Sequence, residues 1–128
     1  MKYSIVINQS GNQSDSPFTA LAFARELINQ KHDIYRVFLY RQAVEIANDY
    51  QQLSTDETDI QAQWKLFSQE HEIDVVVCIA AALRRGVVDE NEARRYDKRG
   101  NNCTDHFELS GLGQLVDAVA QSDRVISF

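Results

Sequence analysis

Apolar residues in this chain fall into two kinds of run: short β-branched stretches, and longer stretches in which apolar positions return every three or four residues. The first kind reads as strand buried on both faces, the second as amphipathic helix. Residues 3–8 form the first predicted strand, and 9–16, polar with Gly11 inside, the loop after it. Ser16 is a suitable cap and Pro17 a suitable first helical residue, because proline lacks only an N–H that the first turn does not use. The helix runs to about residue 30 with Leu21, Ala24, Leu27 and Ile28 inward and Phe23 at the flank. Residues 34–39 are the second strand. Residues 40–50 read as a helix with Val44, Ile46 and Ala47 inward, and 59–70, with Asp56 or Thr58 as its cap, places Ile60, Trp64 and Phe67 on one face at i, i+4 and i+7.

The strongest strand is 74–79, with three consecutive valines before Cys78. From Ala80 the pattern turns helical, Gly86 interrupts it, and 87–96 continue as a second short helix. Residues 97–106 read as a mobile polar loop, 107–109 as a short strand, and Ser110 as the cap of a helix to about 122 with Leu112, Leu115, Val116 and Val119 inward. Residues 124–128 close the chain as a fifth strand. Strands alternating with helices predict one α/β domain over 1–128, a mainly parallel five-stranded sheet with helices on both faces.

Composition narrows the function. With 44% hydrophobic and 25% charged residues and a single proline, the 128-residue chain is globular and large enough for one core. A net charge of -6 argues against direct nucleic-acid binding and against an anionic membrane surface. The cations are nonetheless uneven: Arg84, Arg85, Arg94, Arg95, Lys98 and Arg99 lie within sixteen positions, a local anion-holding patch or a solvated basic face. The first apolar run is too short for a signal peptide or a membrane span, so a cytoplasmic protein is expected. Asn8, Asn12 and Asn102 then match the glycosylation triplet by chance.

Ligands of parallel sheets bind beyond the carboxyl ends of the strands, and Cys78 lies at one of them. In a sheet of flavodoxin-like order the loop 9–16 would face it. A cysteine attacks as the thiolate, which a helix amino terminus or a nearby cation favours. Cys78 has the first by sequence, and Arg84 or Arg85 supplies the second if the chain turns back. The other reading of Cys78 is a small hydrophobe in a buried strand. Cys103, in a polar setting, reads as an exposed, incidental or oxidisable thiol. His32, His71 and His106 are scattered and read as surface residues, not a triad or metal set. Asp89 and Glu90 read as salt-bridge partners of the arginines. The Gly11 loop lacks the phosphate-binding glycine pattern and lysine, and neither a cofactor nor a metal is expected.

Arg36-Val-Phe-Leu-Tyr40, Val77-Cys-Ile-Ala-Ala-Ala82 with Arg84-Arg-Gly-Val-Val-Asp-Glu90, Phe107 with Leu109-Ser-Gly-Leu-Gly-Gln-Leu115, and Asp123-Arg-Val125 together carry a resemblance over the full length. The chain resembles the DsrE/TusD family of small sulfur-relay proteins, most closely its cysteine-bearing, TusD-like branch. The first loop departs from the family pattern, with Gln9-Ser-Gly-Asn12 where relatives often carry Gly-Pro and a tyrosine. The resemblance implies a flavodoxin-like (DsrE-like) fold and a sulfurtransferase in which Cys78 carries sulfur as a persulfide. It implies two related small subunits (TusB- and TusC-like, or DsrH- and DsrF-like) in a heterohexamer, a TusA-like donor and a TusE- or DsrC-like acceptor. The sulfur would go to 2-thiouridine at the tRNA wobble position or, alternatively, serve dissimilatory sulfur oxidation. A non-catalytic scaffold with a silent thiol, or an anion-binding subunit, remains the alternative reading of the same fold.

Overall fold

Five short segments pair into one sheet in the computed structural model, which describes residues 1–128. They are β1 (Lys2–Ile7), β2 (Asp33–Leu39), β3 (Asp74–Cys78), β4 (Phe107–Ser110) and β5 (Arg124–Ser127), ordered β4-β3-β2-β1-β5. Every pair is parallel. The α/β architecture is the one expected. Its strand order puts the reversal between β1 and β5, so β2 separates β1 from β3, and the loop after β1 does not meet Cys78. That loop instead faces residues 48–61 across a polar cavity of about 580 Å³. The space at Gly11 is tight, since a Cβ there would lie 3.2 Å from Ile60 Cγ2.

Helices cover both faces. Tyr3 packs edge-on against Phe23 of α1 (Ser16–Asn29), whereas the next residue, Ser4, bonds Ser122 at the end of α5 (Gly113–Gln121) at 2.7 Å. Successive strand residues point to opposite faces, so α1 and α5 lie on opposite sides. α2 (Ile60–Glu70) joins α1, and Trp64, 1% exposed, donates its indole N–H to Pro17 O at 3.1 Å. Trp64→Phe removes that hydrogen bond and part of the buried ring, an expected loss of about 1–2 kcal/mol. A urea midpoint unchanged from wild type would contradict it.

Several local expectations are corrected. α1 is capped by the Asp15 backbone, not by Ser16, and Ser16 N–H donates to Ser14 Oγ at 3.0 Å. Asp59, not Asp56 or Thr58, caps α2 by accepting from Ala62 N–H. The 40–50 segment is a 3-10 helix over Arg41–Ala47; its buried residues Ala43, Val44, Ile46 and Ala47 stand three apart in pairs, the period of that tighter helix. Val87 and Val88 are buried and non-helical, so the next helix, α4, spans only Glu90–Arg95, capped by Asp89. Ser110 belongs to β4, and Leu112 takes the cap position of α5. On α5 Ala118 is buried and Leu115, as expected, packs partly buried against the core, but Leu112, Val116 and Val119 are exposed at 48%, 67% and 56%. The small Ala118 lets the helix approach the sheet, and the three exposed residues form an outward stripe.

A bulge in β2 builds a polar tie on the α5 face. Tyr3 pairs with Ile34 and Ser4 with Arg36, leaving Tyr35 as the extra residue. Tyr35 Oη and Arg36 Nη1 consequently both donate to Asp117 Oδ2, at 2.6 and 2.9 Å. The Tyr35 hydroxyl and then the Arg36 guanidinium hold the Asp117 carboxyl below the usual carboxylate range. Its contribution to stability is therefore full above the ordinary carboxylate pKa of about 3.9 and lost as pH falls through the folded value. Asp117→Asn is expected to lower Tm at neutral pH and to meet the wild-type curve in acid. Parallel Tm curves between neutral and acidic pH would contradict this.

Candidate functional site

β3 carries valines to its end because both its faces are covered, and its last residue, Cys78, is also the cap position of α3 (Ile79–Arg84), with φ -60° and ψ 115°. Cys78 pairs with Ser110 at the end of β4, and the preceding pair is Leu39 with Val77, so β2, β3 and β4 finish together. The thiol is 2% exposed, belongs to the hydrophobic core and makes no side-chain cap bond to α3. Ala81 and Ala82 face inward, where small side chains permit close approach. α3 then stops in a glycine motif: Gly86 sits at φ +74°, Gly86 N–H donates to Leu83 O and Val87 N–H to Ala82 O.

That stop decides where the arginines go. Arg85 folds back on its own helix and donates to Ala81 O at 3.1 Å. Arg84, six residues from Cys78, stands about 9 Å further along the helix axis at 1.5 Å per residue. It is exposed and lines a groove of about 990 Å³ together with Tyr50, Tyr96, Lys98, Arg99 and Ala80. Neither arginine hydrogen-bonds the thiol or forms an ion pair with Asp89 or Glu90. Asp89 caps α4, and Glu90 pairs with Arg94 at 3.0 Å.

The segment after α4, expected to be mobile, is tied down by Asn102. Its buried amide donates to Asn48 Oδ1 and Gly86 O, each at 3.0 Å, and its Oδ1 accepts from Val88 N–H at 2.8 Å. Backbone bonds join Asn102 and Cys103 to Val88, Asp49 to Asn102, and Thr104 to Ala47. Composition hid this, since asparagines and glycine signal a loop whether or not the loop is anchored. The only sequence mark on Asn102 was a glycosylation triplet.

Cys103 is half-buried, not an exposed thiol, with Sγ directed at the Thr104 and Phe107 carbonyls. Burial, then the Asp89 and Asp49 charges, push its pKa up to about 12, so it remains the thiol at neutral pH. The histidines lie apart at the surface, each with a local partner: His32, partly exposed, beside the amino terminus and Tyr3, His71, partly exposed, on the Phe67 ring, and His106, exposed, with Nε2 at 2.9 Å from Ser68 Oγ. No helix is long and apolar enough to cross a membrane.

A family model described as DsrE/DsrF-like matches residues 1–128. The chain is 40% identical over 131 aligned residues to the DsrE protein of Allochromatium vinosum, covering 100% of this chain and 98% of that one. It is 38% identical over 128 residues to the sulfurtransferase TusD of Cronobacter sakazakii, with both chains fully covered. The crystal structure of the ychN protein from E. coli shares the fold, with a TM-score of 0.78 at 24% identity over 100% of this chain and 99% of that one.

Proposed function

The chain belongs to the DsrE/DsrF-like family, and from that premise and the position of Cys78 we propose that it is a sulfurtransferase carrying sulfur as a persulfide on Cys78. The observation that carries this reading is a free cysteine at the carboxyl end of a central parallel strand, where a helix begins, in a chain alike over its whole length to a named sulfurtransferase. The other cysteine is unsuited, since its thiol stays protonated.

Transfer needs no net oxidation. The Cys78 thiolate attacks the outer sulfur of a donor persulfide, that S–S bond breaks as the new one forms, and the donor leaves as a thiolate. The acceptor's thiolate then attacks the outer sulfur on Cys78 and regenerates its thiolate. Arg84 and Arg85 add positive potential at a distance rather than by contact. The donor is TusA-like and the acceptor TusE- or DsrC-like. Two related small subunits complete a heterohexamer, and the outward stripe Leu112, Val116 and Val119 on α5 is surface that such neighbours would cover.

The sulfur goes toward 2-thiouridine at the tRNA wobble position; dissimilatory sulfur oxidation is the alternative. Cells lacking the chain are expected to lose 2-thiouridine, whereas intact 2-thiouridine with impaired sulfur oxidation would select the alternative. For the chemistry itself, the purified chain is treated with glutathione persulfide and its intact mass measured. One added sulfur on Cys78, removed by dithiothreitol, is expected, and no added sulfur would overturn the proposal. Burial of Cys78 favours a second reading, a scaffold with a silent thiol, and that result would select it.

A further inference from the structure

A cationic groove lies along the outer side of α3. Arg84, Lys98 and Arg99 supply its charge, Tyr50 and Tyr96 its aromatic surface, and Ala80, two residues beyond Cys78, part of its wall. None of the three cations has an ion-pair partner; the ion pairs of the molecule use Arg36, Lys65, Arg94 and Arg95. No carboxylate lines the groove. The tyrosines are 71% and 51% exposed. Scattered exposed aromatics are ordinary, but two beside three unpaired cations form the combination found at the energetic centres of protein interfaces. The groove is also preformed, because Tyr50 Oη donates to Asn101 O at 3.0 Å and Asn102 anchors the adjoining backbone. In a chain of net charge -6, a concavity of the opposite sign focuses the attraction of an anionic partner onto one place.

We propose that this groove docks an acidic peptide segment of the protein that exchanges sulfur with Cys78, one bearing two or three carboxylates and an apolar or aromatic side chain seated against Tyr50 and Tyr96. The partner's role rests on the reading of Cys78 as a sulfur carrier; the groove's ligand chemistry does not. Charge complementarity selects the occupant. Nucleic acid fits less well, since its affinity comes mainly from the phosphates neutralised, three cations reach few of them, and the acidic remainder of the surface repels a polyanion. A peptide lying in the groove passes the first turn of α3, which is where a thiol approaching Cys78 has to be delivered.

The probe is a fluorescein-labelled hexapeptide, Glu-Glu-Phe-Asp-Glu-Leu, followed by anisotropy at low ionic strength, with a uridylate hexamer as competitor. Wild type and Cys78→Ser are expected to bind the peptide alike, and the Lys98→Glu/Arg99→Glu variant at least about tenfold more weakly, with affinity falling as salt is added. The same variant is expected to load sulfur from glutathione persulfide as wild type does, showing an intact fold and thiol. Peptide binding absent in wild type or unchanged by the charge reversal, or tighter binding of the uridylate, would overturn the proposal. Failure of wild-type sulfur loading with groove-dependent peptide binding intact would remove the sulfur-carrier reading and leave the acidic-peptide site standing.

Discussion

Cys78→Ala and Cys78→Ser are expected to abolish persulfide loading, while wild type gains one sulfur atom and passes it to a thiol acceptor. The effect is total because the step is nucleophilic substitution at sulfur: neither a methyl group nor a hydroxyl forms the new S–S bond. Cys103 cannot substitute, since its pKa of about 12 leaves almost no thiolate at neutral pH. The two variants differ in their effect on the fold. Cys78 is 2% exposed in the core, where a hydroxyl without a partner costs about 1–3 kcal/mol, so Cys78→Ala is the variant in which lost loading reports chemistry alone. Intact-protein mass spectrometry after exposure to glutathione persulfide, with Tm measured in parallel, separates the two effects. A sulfur increment persisting in Cys78→Ala would contradict the assignment.

Asn102→Ala is expected to destabilise the chain by about 2–3 kcal/mol, because it deletes three hydrogen bonds and leaves the buried Val88 N–H without its partner. For a chain of 128 residues this is a fall of roughly 6–12 °C in Tm. Asn102→Asp should be worse at neutral pH, since a carboxylate cannot donate to Asn48 Oδ1 or Gly86 O. Both variants should speed amide exchange at Val88, Asn102, Cys103 and Thr104, whose backbone bonds hold this corner. Differential scanning calorimetry and hydrogen exchange test the two parts separately, and an unchanged Tm would mean that the amide is not the anchor.

The elements most legible in the sequence were those whose side chains serve a single core. The valines of β3 and the i, i+4, i+7 face of α2 each bury what their periodicity says they bury, with Trp64 and Phe67 at 1% and 4% exposure. On α5 the same periodicity misled. Leu112, Val116 and Val119 repeat at helical spacing, but repetition identifies a common face and not what lies opposite it. Residues 97–106 misled for the converse reason: polarity predicts access to water, yet Asn102 is itself buried and bonds Val88 N–H, Gly86 O and Asn48 Oδ1.

By itself the sequence determined the alternation of strands and helices, the end of β3 to within one residue of Cys78, and a family pattern that singled out this cysteine. These are properties of neighbours along the chain: β-branching, a residue spacing, the conformational freedom of Gly86. Only the tertiary structure decided that Cys78 is covered, that Arg85 turns back to Ala81 and that Arg84 meets Lys98, Arg99 and two tyrosines in one groove. It decided too that Asn48 and Asn102, 54 residues apart, close the corner beside it. Burial and convergence depend on which distant segments the sheet order brings together, and no spacing within one segment records that.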